Sequence, residues 1–128
     1  RRSDRDANNP KLFVTRENTV VSIEELTKPE VLIGRSHLCD IKIDQNSISG
    51  KHFKLEKTPE GYRIQDMGST NGTWVNGERV QSQVLADGDI ISIGKYELAY
   101  RENESKEKER LYTLKTANGR PGLVDKIV

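Results

Sequence analysis

Asp66-Met67-Gly68-Ser69-Thr70-Asn71-Gly72-Thr73-Trp74-Val75-Asn76-Gly77 holds two Asn-Gly pairs on either side of the run Thr73-Trp74-Val75. Asn-Gly accepts φ > 0 at both central positions, which a two-residue type I′ connection needs if its strands are to keep their right-handed twist. Asn76-Gly77 therefore predicts a hairpin from Thr73-Trp74-Val75 into Glu78-Arg79-Val80. The first pair closes a different kind of segment. Ser69, Thr70 and Asn71 form a hydroxyl- and amide-rich loop with no apolar neighbour to pack against, a composition suited to contact with something outside it.

Strand and turn signals continue outward from this stretch. Leu12-Phe13-Val14 and Thr19 to Ile23 are β-branched and aromatic. Val31 to Ile33, Ile41 to Ile43, Phe53 to Glu56 and Tyr62 to Gln65 read as short strands, the last two joined through the turn Thr58-Pro59-Glu60-Gly61. Apolar and charged residues alternate with period two in Ile41-Lys42-Ile43 and Phe53-Lys54-Leu55, the pattern of antiparallel strands with one wet face. Val84 to Asp89 carries the chain through Asp87-Gly88 into Ile90 to Ile93, and Gly94-Lys95 turns it into Tyr96 to Tyr100. This closely spaced series, with no helical period and no internal repeat, predicts an all-β, two-sheet antiparallel β-sandwich of about ten or eleven short strands. Its expected limits are 11–101, after a polar, flexible lead-in of residues 1–10. Residues 102–128 read as a charged extension or linker. Within it, Glu102 to Arg110 suits either a short exposed helix or disorder, and Leu111-Tyr112-Thr113-Leu114 could add an edge strand.

Composition narrows the function classes. At 128 residues, with 33% hydrophobic and 32% charged, the chain is one domain with a thin core. No stretch approaches the roughly 20 apolar residues of a membrane span, and Arg1 to Asp6 has no apolar segment of a signal peptide, so the expectation is a soluble, intracellular chain without a membrane partner. Cys39 stands alone and cannot form an internal disulfide; beside Ile41-Lys42-Ile43 it reads as a small core residue. The 21 Lys and Arg against 20 Asp and Glu give none of the basic excess of a nucleic-acid reader. Local charge differs from the total. Gly34 to Ser36, Asn46 to His52 and Gly68 to Gly72 hold Arg35 and Lys51 and no acid, an arrangement that favours a small anion.

Those three pieces, Gly34-Arg35-Ser36, Ser49-Gly50-Lys51-His52 and the stretch from Asp66 to Gly77, stand in an order and at a spacing that resemble the forkhead-associated (FHA) domain. The resemblance runs from about Val31 to Gly94, and Leu85 to Ile90 is close to a further recurrent pattern of that family. It implies a β-sandwich with binding loops at one end that takes phosphothreonine-containing peptides, without a cofactor, a metal or catalysis. A phosphothreonine carries about −1.5 to −2 charges and three acceptor oxygens, so its pocket needs a cation and several short donors. By the resemblance, Arg35 supplies the guanidinium, Ser49 and Thr70 hydroxyls, Gly50 its backbone amide and Lys51 its ammonium. Asn71 holds the main chain of the peptide, and Gly34, His52, Ser69 and Gly72 support the site. His52 would brace the loops, His37 would be a solvated surface residue, and Trp74, Phe53 and Leu55 read as core.

The implied partner is a phosphothreonine-containing protein in phosphorylation signalling, with phosphorylation-dependent self-association as a further option; nuclear settings such as the DNA damage response and the cell cycle are the commonest for the family. Two other classes compete. One is a structural or self-associating sandwich without phosphate binding, and the other a hydrolase using Ser49 and His52, for which neither a nucleophile-elbow pattern nor an orienting acid is present. Asn46, Ser47 and Ile48 are uncharged where some members carry a base, so no preference for an acidic flanking residue is implied. Arg79 and Gln81 are further candidates for the rim.

Overall fold

The computed structural model describes residues 9–102, which fold into eleven strands. These are β1 (Lys11–Arg16), β2 (Thr19–Glu25), β3 (Glu30–Gly34), β4 (Ile41–Lys42), β5 (Phe53–Thr58), β6 (Gly61–Asp66), β7 (Thr73–Val75), β8 (Glu78–Val80), β9 (Ser82–Val84), β10 (Ile90–Ile93) and β11 (Tyr96–Arg101). They form a six-stranded sheet in the order β2-β1-β11-β10-β7-β8 and a five-stranded sheet in the order β4-β3-β5-β6-β9. The inner faces follow the period-two pattern. Leu12, Val14, Ile91, Ile93, Leu98 and Tyr100 from the first sheet meet Val31, Ile33, Phe53, Leu55, Tyr62 and Ile64 from the second in one buried core. Pro10 to Glu102 is a compact unit, and the carbonyl of Pro10 accepts the Leu26 N–H at 2.8 Å. The readings made for Asn103 to Leu114 lie outside the described residues.

Turn chemistry sets the hairpins. Asn76 and Gly77 have φ of 51° and 85°, as the type I′ connection requires, and Val75 pairs with Glu78 across them. Pro59-Glu60 closes the β5–β6 hairpin between the paired Thr58 and Gly61.

Three readings need correction, and one strand was missed. The sandwich is antiparallel except for β3 and β4, which pair in parallel through Ile33 with Ile41 and Gly34 with Lys42. β9, a polar edge strand, escaped the sequence reading because Ser82-Gln83-Val84 has too little apolar content to announce itself. Trp74 is not core. It is 38% exposed on the outer face, while Thr73 and Val75 on either side of it are buried. Cys39 is half-buried in the β3–β4 loop, its thiol 3.1 Å from the Gly50 carbonyl, and is not a core residue either.

Candidate functional site

Three loops meet at one end of the sandwich: Arg35 to Asp40 after β3, Ile43 to His52 before β5, and Met67 to Gly72 between β6 and β7. Backbone hydrogen bonds lock the first two together, from Arg35 N to Ser49 O and from Ser36 N to Gly50 O, both at 3.0 Å. This approach explains Gly34. A Cβ there would lie 2.2 Å from the Gly50 carbonyl oxygen and 2.9 Å from the His52 nitrogen, so no side chain fits.

His52 joins the second and third loops from a fully buried position. Its Nδ1 accepts the Ser49 backbone N–H at 3.1 Å, which leaves Nε2 to carry the proton and donate to the Gly72 carbonyl at 2.8 Å. Both ring nitrogens are thus held by backbone, and neither faces the Ser49 hydroxyl, so the imidazole is placed as a brace and not as a base for that serine. Gly72 has φ of 91°, and the side chain of Arg79 lies where its Cβ would be, with Nε 2.6 Å away. Arg79 is accordingly a cation beside the third loop, at the rim position that sequence left open.

Beneath the third loop is a group to which the sequence reading gave no role. Asp66, 8% exposed, takes hydrogen bonds at Oδ2 from the backbone N–H of Gly68 and of Ser69, both at 3.0 Å. At Oδ1 it takes the hydroxyls of Ser69 at 2.5 Å and Thr73 at 2.7 Å. Burial raises the pKa of this carboxylate, but the bonds from Ser69, Thr73 and Gly68 outweigh it and hold the group below the ordinary 3.8. Ser69 in turn accepts the Gly72 N–H at 3.0 Å, so one buried charge fixes the whole path of the loop from Gly68 to Thr73. The signal for it was present: Asp followed by Gly and Ser is the spacing at which a carboxylate bonds to N–H groups two and three residues on.

Ser49, Thr70, Asn71, Arg35 and Lys51 stand above this base. The Ser49 hydroxyl accepts the Thr70 N–H at 3.0 Å and keeps its own proton to donate. Arg35 is exposed, and its Nε donates to the Ile48 carbonyl at 3.0 Å, a bond that anchors the guanidinium through one nitrogen. Asn71 spends one amide hydrogen on the Ser47 carbonyl at 2.8 Å, so its Oδ1 and second hydrogen are what a ligand could use. Among the described residues neither Arg35 nor Lys51 has a carboxylate partner. All ten residues singled out from sequence therefore lie at this end, six presented by the loops and four beneath or between them. His37 is exposed, as expected.

A β-sandwich that gathers a guanidinium, hydroxyls and an amide on braced loops at one end defines a class of loop-presenting ligand-binding domain. A family model for the FHA domain matches residues 31–94, half of the chain, and the chain belongs to that family. It is 40% identical over 85 residues to the ABC transporter ATP-binding/permease protein Rv1747 of Mycobacterium tuberculosis, covering 66% of this chain and 10% of that protein. It is 39% identical over 75 residues to the glycogen accumulation regulator GarA of Mycolicibacterium smegmatis, 59% of this chain and 48% of that one. The chain thus spans about half or less of these relatives. Among solved structures, the FhaA FHA domain complexed with the intracellular domain of Rv3910 superposes with a TM-score of 0.66 at 28% identity, over 72% of this chain and 99% of that one. Mycobacterium tuberculosis EmbR in complex with a low-affinity phosphopeptide gives 0.67 at 26%, over 79% and 28%.

Proposed function

We propose that residues 11–101 are a phosphothreonine-dependent peptide-binding module that mediates a protein–protein interaction in phosphorylation signalling. The observation that carries this reading is Arg35: an exposed guanidinium without a carboxylate partner among the described residues, aimed by its bond to Ile48 beside the Ser49 hydroxyl and the Thr70 loop. In this reading Arg35, Ser49, the Gly50 amide, Lys51 and Thr70 take the phosphate, with two charge-assisted bonds from the guanidinium in one plane. Asn71 takes the peptide main chain. Gly34, His52, Ser69 and Gly72 hold the loops in place. In this reading the domain binds and does not catalyse, and both ring nitrogens of His52 are committed to backbone. The relatives named above are bacterial, which favours a bacterial signalling setting over a nuclear one.

The test is calorimetric titration with a peptide selected from an oriented phosphothreonine library, in phosphothreonine, phosphoserine and unphosphorylated forms. A dissociation constant of about 1 μM, or about −8 kcal/mol, is expected for the first. Phosphoserine should bind several-fold more weakly, because one buried methyl is worth roughly 0.8 kcal/mol and placement of the rotamer adds to it. Arg35→Ala should cost about 3 to 5 kcal/mol of binding, the scale of an uncompensated desolvated charge. Its melting temperature should stay near wild type, Arg35 being at a loop mouth. Binding by Arg35→Ala within threefold of wild type would overturn the site assignment.

A further inference from the structure

Within the second loop, Gln45-Asn46-Ser47-Ile48 closes as a turn through the Ile48 N–H on the Gln45 carbonyl at 3.0 Å. Its last two carbonyls hold two different residues of the site. The Ser47 carbonyl accepts the Asn71 side-chain amide at 2.8 Å, and the Ile48 carbonyl accepts Arg35 Nε at 3.0 Å. Ile48 is fully buried, so the core itself fixes the support of Arg35. Ser47 is only half-buried and is fixed in another way.

Its anchor comes from the other sheet. The Ser47 hydroxyl donates to Gln45 Oε1 at 2.9 Å, and the same oxygen accepts the Lys95 backbone N–H at 3.2 Å from the turn between β10 and β11. Gly94, with φ of 57°, sits against both groups. A Cβ there would lie 2.5 Å from Ser47 Oγ and 2.6 Å from Gln45 Oε1, so a side chain at this position has to displace one or the other. We infer that Gln45, clamped by the Gly94–Lys95 turn, is a positioning residue that aims Asn71 at the main chain of the peptide by way of Ser47. The inference rests on the phosphopeptide reading above. Asn71 is exposed, and its side chain is tied to the protein through the Ser47 carbonyl. A displaced carbonyl re-aims the Oδ1 and the second amide hydrogen that remain for a ligand, and hydrogen bonds weaken steeply with angle. Arg35, held by Ile48, should stay in place, so the effect falls on the main-chain contact and not on the phosphate contact.

The experiment is a pair of double-mutant cycles on the whole chain, read by calorimetric titration of the library-selected phosphothreonine peptide, with a thermal melt of every variant. Gln45→Ala and Gly94→Ala attack the clamp from its two sides, and each should weaken binding by about five- to tenfold. In an Asn71→Ala background the same two substitutions should change binding by less than about twofold, since the residue they act through is gone. In a Lys51→Ala background their full effect should remain. A general loosening of the loops would weaken binding equally in both backgrounds, so the contrast between them separates positioning from mere structure. Gly94→Ala places alanine at a positive φ and should melt a few degrees lower; if it does not fold, Gln45→Ala decides alone. Wild-type affinity in Gln45→Ala, or a loss that is as large without Asn71 as with it, overturns the inference and leaves the phosphate site standing. Wild-type affinity in Asn71→Ala does the same. A wild-type chain that binds no phosphothreonine peptide overturns the phosphopeptide reading and this inference together.

Discussion

Each end of the sandwich is organised by an aspartate that ties a loop, and the two are built to different depths. At the loop end Asp66 is buried and takes four hydrogen bonds, two from backbone and two from hydroxyls. At the far end Asp89 is half-buried and takes the Ala86 N–H at 2.8 Å and the Asn76 side-chain amide at 2.9 Å, while Asn76 accepts the Ile90 N–H at 3.0 Å. The far-end contacts close a turn that water can reach. The loop-end contacts replace water altogether, holding Ser69 to Gly72 still so that Ser49, Thr70 and Asn71 can be presented without an apolar neighbour of their own. Polar loops stay ordered here because a buried charge supplies what a hydrophobic anchor otherwise would.

Removing the deeper aspartate should have the largest effect. Asp66→Ala strips the partners from two backbone N–H groups and two hydroxyls in a buried place, at an expected cost of about 3 to 5 kcal/mol of stability. Phosphopeptide binding should disappear with it even at temperatures where the variant is still folded. Asp66→Asn is the gentler probe: its oxygen can still accept the two N–H groups, and Thr73 can turn its hydroxyl to accept from the amide. Urea unfolding of both variants, with peptide titration under folded conditions, checks the pair. Full-strength binding by folded Asp66→Ala would show that the loop does not need its base.

Acid and alkali should separate the two ends. Asp66 has a lowered pKa in the folded state, so its contribution to stability is present above the ordinary 3.8 and is lost as the pH falls below it. Tyr100 at the far end is buried, and its hydroxyl accepts the Tyr62 N–H at 3.3 Å. Burial, less the effect of that bond and with Glu102 and Asp87 nearby, pushes its pKa up to about 12 from 10.0. The sign is the opposite one. Its contribution is present below 10 and lost as the pH rises toward 12, a span worth roughly 2 to 3 kcal/mol. Melting curves should therefore lose their acid limb in part in Asp66→Asn and their alkaline limb in part in Tyr100→Phe. An acid limb identical in wild type and Asp66→Asn would remove Asp66 from the account.

How much of this could be read from the chain depended on whether a residue's role is local. Asn76-Gly77 and Asp87-Gly88 state their turns in their own backbone preferences, and the alternation in β5 and β6 gives strands with one wet face. The ten candidate residues were singled out because their motifs come in order, and the fold gathers them at one end of the sandwich. Which face of β7 turns inward was not legible. Period two separates Trp74 from Thr73 and Val75 but does not say which set is buried; the smaller Thr73 goes in, where its hydroxyl completes the Asp66 shell. The parallel pairing of β3 with β4 was equally out of reach, since a parallel crossover ordinarily needs a dozen residues or more. Here the connection is an arch and the pairing spans only two residues, which no periodicity can register.

The smallest effect sharpens the comparison most, because it asks whether the two aspartates differ in kind or only in degree. Asp89→Ala removes an acceptor from the Ala86 N–H and from the Asn76 side chain, both at positions that solvent reaches. Water can replace an exposed partner, so the cost should be about 1 kcal/mol, near that of a single ordinary hydrogen bond. Asn76 keeps its bond to Ile90, and the positive φ of Asn76 and Gly77 keeps the hairpin's twist, so β7 should stay in register. If β7 stays, Thr73 stays against Asp66, and the loop above is unchanged. Asp89→Ala should thus bind the phosphothreonine peptide within twofold of wild type while melting a few degrees lower, as roughly 1 kcal/mol implies for a domain of this size. Calorimetric titration and a thermal melt on one preparation give both numbers. Binding that falls tenfold or more at full folding would mean that strain at the far turn travels along β7 to Thr73, and the two ends would have to be treated as one coupled unit.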